Sequence, residues 1–139
     1  MEIEYAFLAR YVEPASDATL TITGADLGTV RIRTFPGFTP AFSVVVKLKA
    51  DAPLPKFRVH VRGPASVGTV FSTGETWHTT RGVRPKDSNA AIGPRFVLTI
   101  PQLQFPEPGS YETVVELDTG TSLRLPFSVL QTEERNDNS

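Results

Sequence analysis

Cysteine is absent from the 139-residue chain, and methionine and tryptophan occur once each and histidine twice. Without cysteine there is no thiolate nucleophile, no Cys-zinc or iron–sulfur ligation and no disulfide framework. Neither His60 nor His78 has a second histidine or a carboxylate two or four residues further along its own element, so no metal site and no cofactor is expected. The Gly-x-Ser-x-Gly elbow, the Walker loop, Gly-x-Gly-x-x-Gly and His-Glu-x-x-His are all missing, and with them the usual local signatures of an enzyme. Hydrophobic runs are short, Val44-Val45-Val46 being typical, far below the ~20 apolar residues of a membrane helix. The opening Met1-Glu2-Ile3-Glu4-Tyr5 carries acids where a secretion signal carries bases. The expectation is a cytoplasmic, non-enzymatic protein with no membrane contact.

Helical spacing of apolar residues is also lacking, whereas alternation with period two recurs along the chain. Tyr5, Phe7, Ala9 and Tyr11 share one face of a first strand. Leu20 and Ile22 point inward from a second, and Val30 and Ile32 alternate with Arg31 and Arg33 in a third. Phe35-Pro36-Gly37-Phe38-Thr39-Pro40 reads as a turn bearing two aromatic plugs. Phe42, Val44, Val46 and Leu48 form the inward face of a fourth strand, and Phe57, Val59 and Val61 that of a fifth, ended by Gly63-Pro64. A shorter strand lies around Val67 to Ser72. Phe96, Leu98 and Ile100 mark the next.

Tyr111, Thr113, Val115 and Leu117 then face Leu123, Leu125, Phe127 and Val129 across a Gly120 loop. Matching these inward sets pairs residue 117 with 123 and Glu116 with Arg124. Eight or nine short strands without a confident helix predict an all-β, antiparallel two-sheet sandwich of immunoglobulin-like appearance over residues 1–130, with a closed barrel as the alternative. Residues 131–139 form a polar tail.

Charge is segregated. The formal net charge is −1, yet residues 31–95 carry eleven Lys/Arg against three acids, a net +8, between acidic ends of −4 and −5. If the fourth and fifth strands form a hairpin, Lys47 and Lys49 join Lys56, Arg58, His60 and Arg62 on one outward face. Like charges there cost a few tenths of a kcal/mol up to about 1. Either the strands lie in different sheets, or Glu112, Glu116 and Asp118 neutralise them, or an anion or acidic partner does. Self-association of basic middle with acidic ends is a further possibility. Nucleic acid is not the expected ligand, because the aromatic residues lie mostly on inward faces rather than interleaved with the basic ones for base stacking.

Between Thr73 and Gly93 the periodicity is lost, which marks a loop for contacts. It holds Trp77, Arg81 and Arg84. A lone tryptophan in a β-domain most often closes the core. The alternatives are a hot spot for a protein partner or a platform for a small ligand such as a sugar.

Tyr5-Ala-Phe-Leu-Ala-Arg-Tyr11, Leu20-Thr-Ile-Thr-Gly24, Phe35-Pro36, Pro108-Gly109-Ser110-Tyr111 and Leu125-Pro-Phe127 together resemble an uncharacterised bacterial family of small single-domain β-proteins, over nearly the whole chain. The resemblance implies a β-sandwich with no established activity and no catalytic residues to carry over. Protein binding or self-assembly is the functional expectation, with small-ligand binding through the Thr73–Gly93 loop as the alternative.

Overall fold

Runs of β-branched and aromatic residues broken by Gly, Pro and Asp leave the backbone little choice but short strands. The computed structural model describes residues 3–14, 20–25, 27–49, 55–79 and 95–132. In chain order the strands are β1 (Ile3–Pro14), β2 (Leu20–Ala25), β3 (Thr29–Ile32), β4 (Gly37–Phe38), β5 (Phe42–Leu48), β6 (Lys56–Arg62), β7 (Thr69–Ser72), β8 (His78–Thr79), β9 (Arg95–Ile100), β10 (Gln104–Phe105), β11 (Gly109–Leu117) and β12 (Ser122–Gln131). One sheet has the order β2-β1-β5-β9. A second runs β3-β12-β11-β6-β7, with β8 pairing β6 beside β7, and β4 and β10 make a two-stranded patch. Among the described residues no sheet closes into a barrel, and none of the elements is a helix. No helix is therefore long and apolar enough to cross a membrane there.

The core is one cluster fed by both large sheets. Leu8, Phe42, Val44, Val46, Leu48, Phe96, Leu98 and Ile100 come from the first, and Val30, Ile32, Val59, Val61, Tyr111, Val115, Leu117, Phe127 and Val129 from the second. The inward faces read for β3, β5, β6, β9, β11 and β12 thus hold, but β5 is buried on both faces: Ser43 and Val45, expected to point outward, are buried as well. Phe42 meets Phe127 edge-on at 5.8 Å between ring centroids, a contact that ties one sheet to the other.

Several expectations are corrected. Tyr5, Phe7, Ala9 and Tyr11 do share a face, but Tyr5 and Tyr11 are exposed, and the core side of β1 is Ala6 and Leu8. Ile3 joins that side because a register shift between Ile3 and Tyr5 changes the alternation. Of the two aromatic plugs only Phe35 packs against the core; Phe38 is 59% exposed.

The pairing of β12 with β3 is parallel, not antiparallel, which a period-two pattern cannot distinguish. In the β11–β12 hairpin Glu116 lies opposite Ser122 and Val114 opposite Arg124, a slip of two residues from the expected register. β12 runs on through Gln131, which pairs with Ile32, so the tail does not begin there; residues 133–139 lie outside the described residues.

Candidate functional site

β5 and β6 do not form a hairpin. They lie in different sheets, so the six basic residues expected on one face are divided. Lys47 reaches Glu4 at 3.3 Å and sits 5.6 Å from the Tyr5 ring centroid, while Lys49 is exposed just past the end of β5. Lys56, Arg58, His60 and Arg62 stay together on β6.

Because β6 alternates, Val59 and Val61 enter the core and Arg58, His60 and Arg62 stand on the outer face. The neighbouring β11 sets Glu116 opposite Arg58, Val114 opposite His60 and Glu112 opposite Arg62. The carboxylates meet the guanidiniums directly. Arg58 donates from Nε at 3.1 Å and from Nη2 at 2.5 Å to Glu116 Oε2, and Arg62 Nε donates to Glu112 Oε1 at 2.5 Å. His60 Nδ1 lies 4.0 Å from Glu116 Oε1. Lys56 donates its backbone N–H to Asp118 Oδ1 at 3.1 Å. Glu116 and Glu112 offset Arg58 and Arg62 within the sheet, one of the alternatives read from the sequence, whereas Asp118 meets the Lys56 backbone rather than a basic side chain. Each such partly exposed pair contributes about 0.2–1 kcal/mol.

On the far edge of β6, β7 and β8 lie end to end, and the chain between them loops out over Arg58. Thr73 anchors that loop: its N–H donates to Val59 O at 2.9 Å, and its Oγ1 accepts from Val59 N at 3.0 Å. Gly74 N donates to Ser72 Oγ at 3.0 Å, and His78 Nε2 lies 3.2 Å from Thr73 O. The Trp77 ring lies over Arg58, with the guanidinium carbon 4.1 Å from the ring centroid, and Arg58 Nη1 donates to Glu75 O at 3.2 Å. Arg58 is therefore a strut between β11 and the loop.

Trp77 remains 37% exposed, so it does not close the core as a lone tryptophan usually does. Two surface depressions flank the strut. One reaches Trp77, Asp118, Thr121 and Ser122; the other reaches His60, Ser72, Gly74 and Glu75. No group of three or more His, Asp or Glu among the described residues can hold a metal ion. Arg81 and Arg84, and the loop from residue 80 to 93, lie outside the described residues.

A family model for a family of unknown function, DUF6941, matches residues 4–130. The chain belongs to the DUF6941 family. That match spans both sheets and every residue of the strut, and it brings no activity with it. A comparison with curated proteins finds no match. Sequence reasoning found Trp77, Arg58 and Glu116 separately. Their junction was not visible, because it depends on which strand lies beside β6 and on where the loop after β7 returns.

Proposed function

We propose that this DUF6941 protein is a non-enzymatic binding domain that recognises another protein through the outer face of the β11–β6–β7 part of the second sheet, with Trp77 and Arg58 at its centre. The carrying observation is a half-exposed tryptophan held against an arginine that is itself fixed to Glu116. Trp and Arg dominate binding hot spots, and a side chain already held in place loses less freedom on binding. Since Arg58 and Arg62 have their own carboxylates, the face offers no row of free cations, which favours a protein surface over a polyanion. We further propose that the two large sheets stack as an immunoglobulin-like sandwich. Their common core cluster and the Phe42–Phe127 contact support this.

The test is affinity capture with wild type and Trp77→Ala. Losing one exposed cation–π contact of about 0.5–1 kcal/mol lowers Tm by about 3 °C or less. A hot-spot loss weakens capture by about thirtyfold. Unchanged capture by Trp77→Ala overturns the assignment. The alternative, a small ligand stacked on the free side of Trp77 above the depression reaching Asp118 and Thr121, gains support if sugars change its fluorescence saturably.

A further inference from the structure

Around Trp77 the outer face of β6 is acidic, although β6 itself is a basic strand. Arg58 has nothing left to offer a partner: Nε and Nη2 donate to Glu116 Oε2, Nη1 donates to Glu75 O, and the guanidinium carbon lies 4.1 Å from the indole centroid. The carboxylates nearby are less committed. Asp118 accepts only from the Lys56 backbone, through Oδ1, and Glu75 is engaged only through its backbone carbonyl. Neither has an ion-pair partner among the described residues. Lys56 stands exposed beside Asp118 but lines neither depression and makes no ion pair with that carboxylate.

The depression of about 260 Å³ beside Trp77 is walled by Arg58, Glu116, Asp118, Thr121 and Ser122. One cation faces two carboxylates there, and that cation is already paired. Trp77 is 37% exposed, with the side of its ring away from Arg58 open above these acceptors. An indole face free to water beside an unpaired carboxylate is an arrangement that attracts a cation.

We propose that the protein partner is recognised here through a basic side chain, an arginine, which lies on the free face of Trp77 and donates to Asp118. This rests on the protein-binding reading of the same surface and names the chemistry of the partner. Arginine fits better than lysine, because a planar guanidinium stacks on an indole while its edge still donates to a carboxylate. An acidic segment would meet Glu116 and Asp118 with no uncommitted cation in the depression to offset it. The row Lys56, Arg58, His60 and Arg62 reads in sequence as a face for an anion or an acidic partner. The strand order reverses that at Trp77 by setting Glu116 against Arg58.

The probe is N-acetyl-arginine amide, followed through the fluorescence of Trp77, the single tryptophan of the chain, at constant ionic strength. N-acetyl-citrulline amide keeps the planar group and removes the charge, and N-acetyl-glutamate amide reverses it. A saturable change with the arginine compound, about fivefold weaker binding of the citrulline compound and no response to the glutamate compound are expected. Asp118→Asn keeps an oxygen for the Lys56 N–H and removes the charge. It should weaken the arginine compound about fivefold, leave the citrulline compound unchanged and move Tm by no more than about 2 °C.

Glu112→Gln is the matched control, because Glu112 lies on the same strand but pairs with Arg62 and lines neither depression. It should bind the arginine compound as wild type does. No saturable change, equal affinity for the arginine and citrulline compounds, or wild-type affinity in Asp118→Asn overturns the proposal. The protein-binding reading fails separately, on unchanged capture by Trp77→Ala. Capture lost in Trp77→Ala but unchanged in Asp118→Asn keeps that reading and overturns the basic partner.

Discussion

Tyr111 packs between Phe105 and Phe127, at ring-centroid distances of 4.8 and 5.9 Å, and its hydroxyl donates to Glu107 O at 2.6 Å. Burial raises its pKa above the ordinary 10.0, the Glu107 carboxylate adds to the rise, and the bond to the Glu107 backbone opposes it. An unfolded tyrosine ionises first, so the stability Tyr111 contributes is complete below about pH 10 and is lost as pH climbs through the folded value. Tyr111→Phe should cost about 1 kcal/mol near neutral pH through the lost hydrogen bond. The Tm gap between wild type and Tyr111→Phe should narrow above about pH 10, and a gap constant to pH 11 would show that burial does not perturb this phenol. Single residues were legible in the sequence where alternation decided them: Phe42, Val59 and Val115 are core because their neighbours are polar or their strand is buried. Trp77 and Phe38 were not, since both lie outside regular alternation and only the path of the loop sets their exposure.

Among the elements, apolar patterning fixes which face of a strand is buried but is blind to a slip of two residues, which returns every side chain to the same face. The β11–β12 hairpin is such a case. Leu117 N donates to Thr121 O at 2.8 Å, closing a three-residue loop of Asp118, Thr119 and Gly120, with Gly120 at φ +94°. Glycine in that left-handed third position is the turn chemistry such a loop favours, so the signal was present in the sequence. Pro126 fits the same register: it lies opposite Glu112, before β3 begins to pair with β12 at Ser128. The register makes a measurable difference. A double-mutant cycle between Glu116 and Arg58 should give a coupling of about 0.5–1 kcal/mol in urea unfolding, and one between Glu116 and Arg124 should stay within about 0.3 kcal/mol. The reverse ranking would restore the register expected from sequence.

Over the whole molecule, folding offsets part of the charge segregation along the chain. Basic β6 lies against acidic β11, and Lys47 of β5 meets Glu4 of β1. Composition alone disclosed the imbalance, but only the strand order discloses that a single chain offsets part of it. Attraction between the basic middle of one copy and the acidic ends of another is weakened to that extent. Light scattering after size-exclusion chromatography should return the mass of one chain at both low and high salt, and a mass that falls with added salt would contradict this. The strand order has another consequence. The described partner of β3 is β12, and their parallel register joins residues 29–32 to residues 128–131. Nearly a hundred residues must be gathered before that contact repays its loop-closure entropy, which places folding among the slow, ms–s regime of non-local β topologies. During synthesis β3 and the open side of β11 therefore wait for β12 to emerge. In that interval they are bare β-edges that a neighbouring nascent chain can pair with.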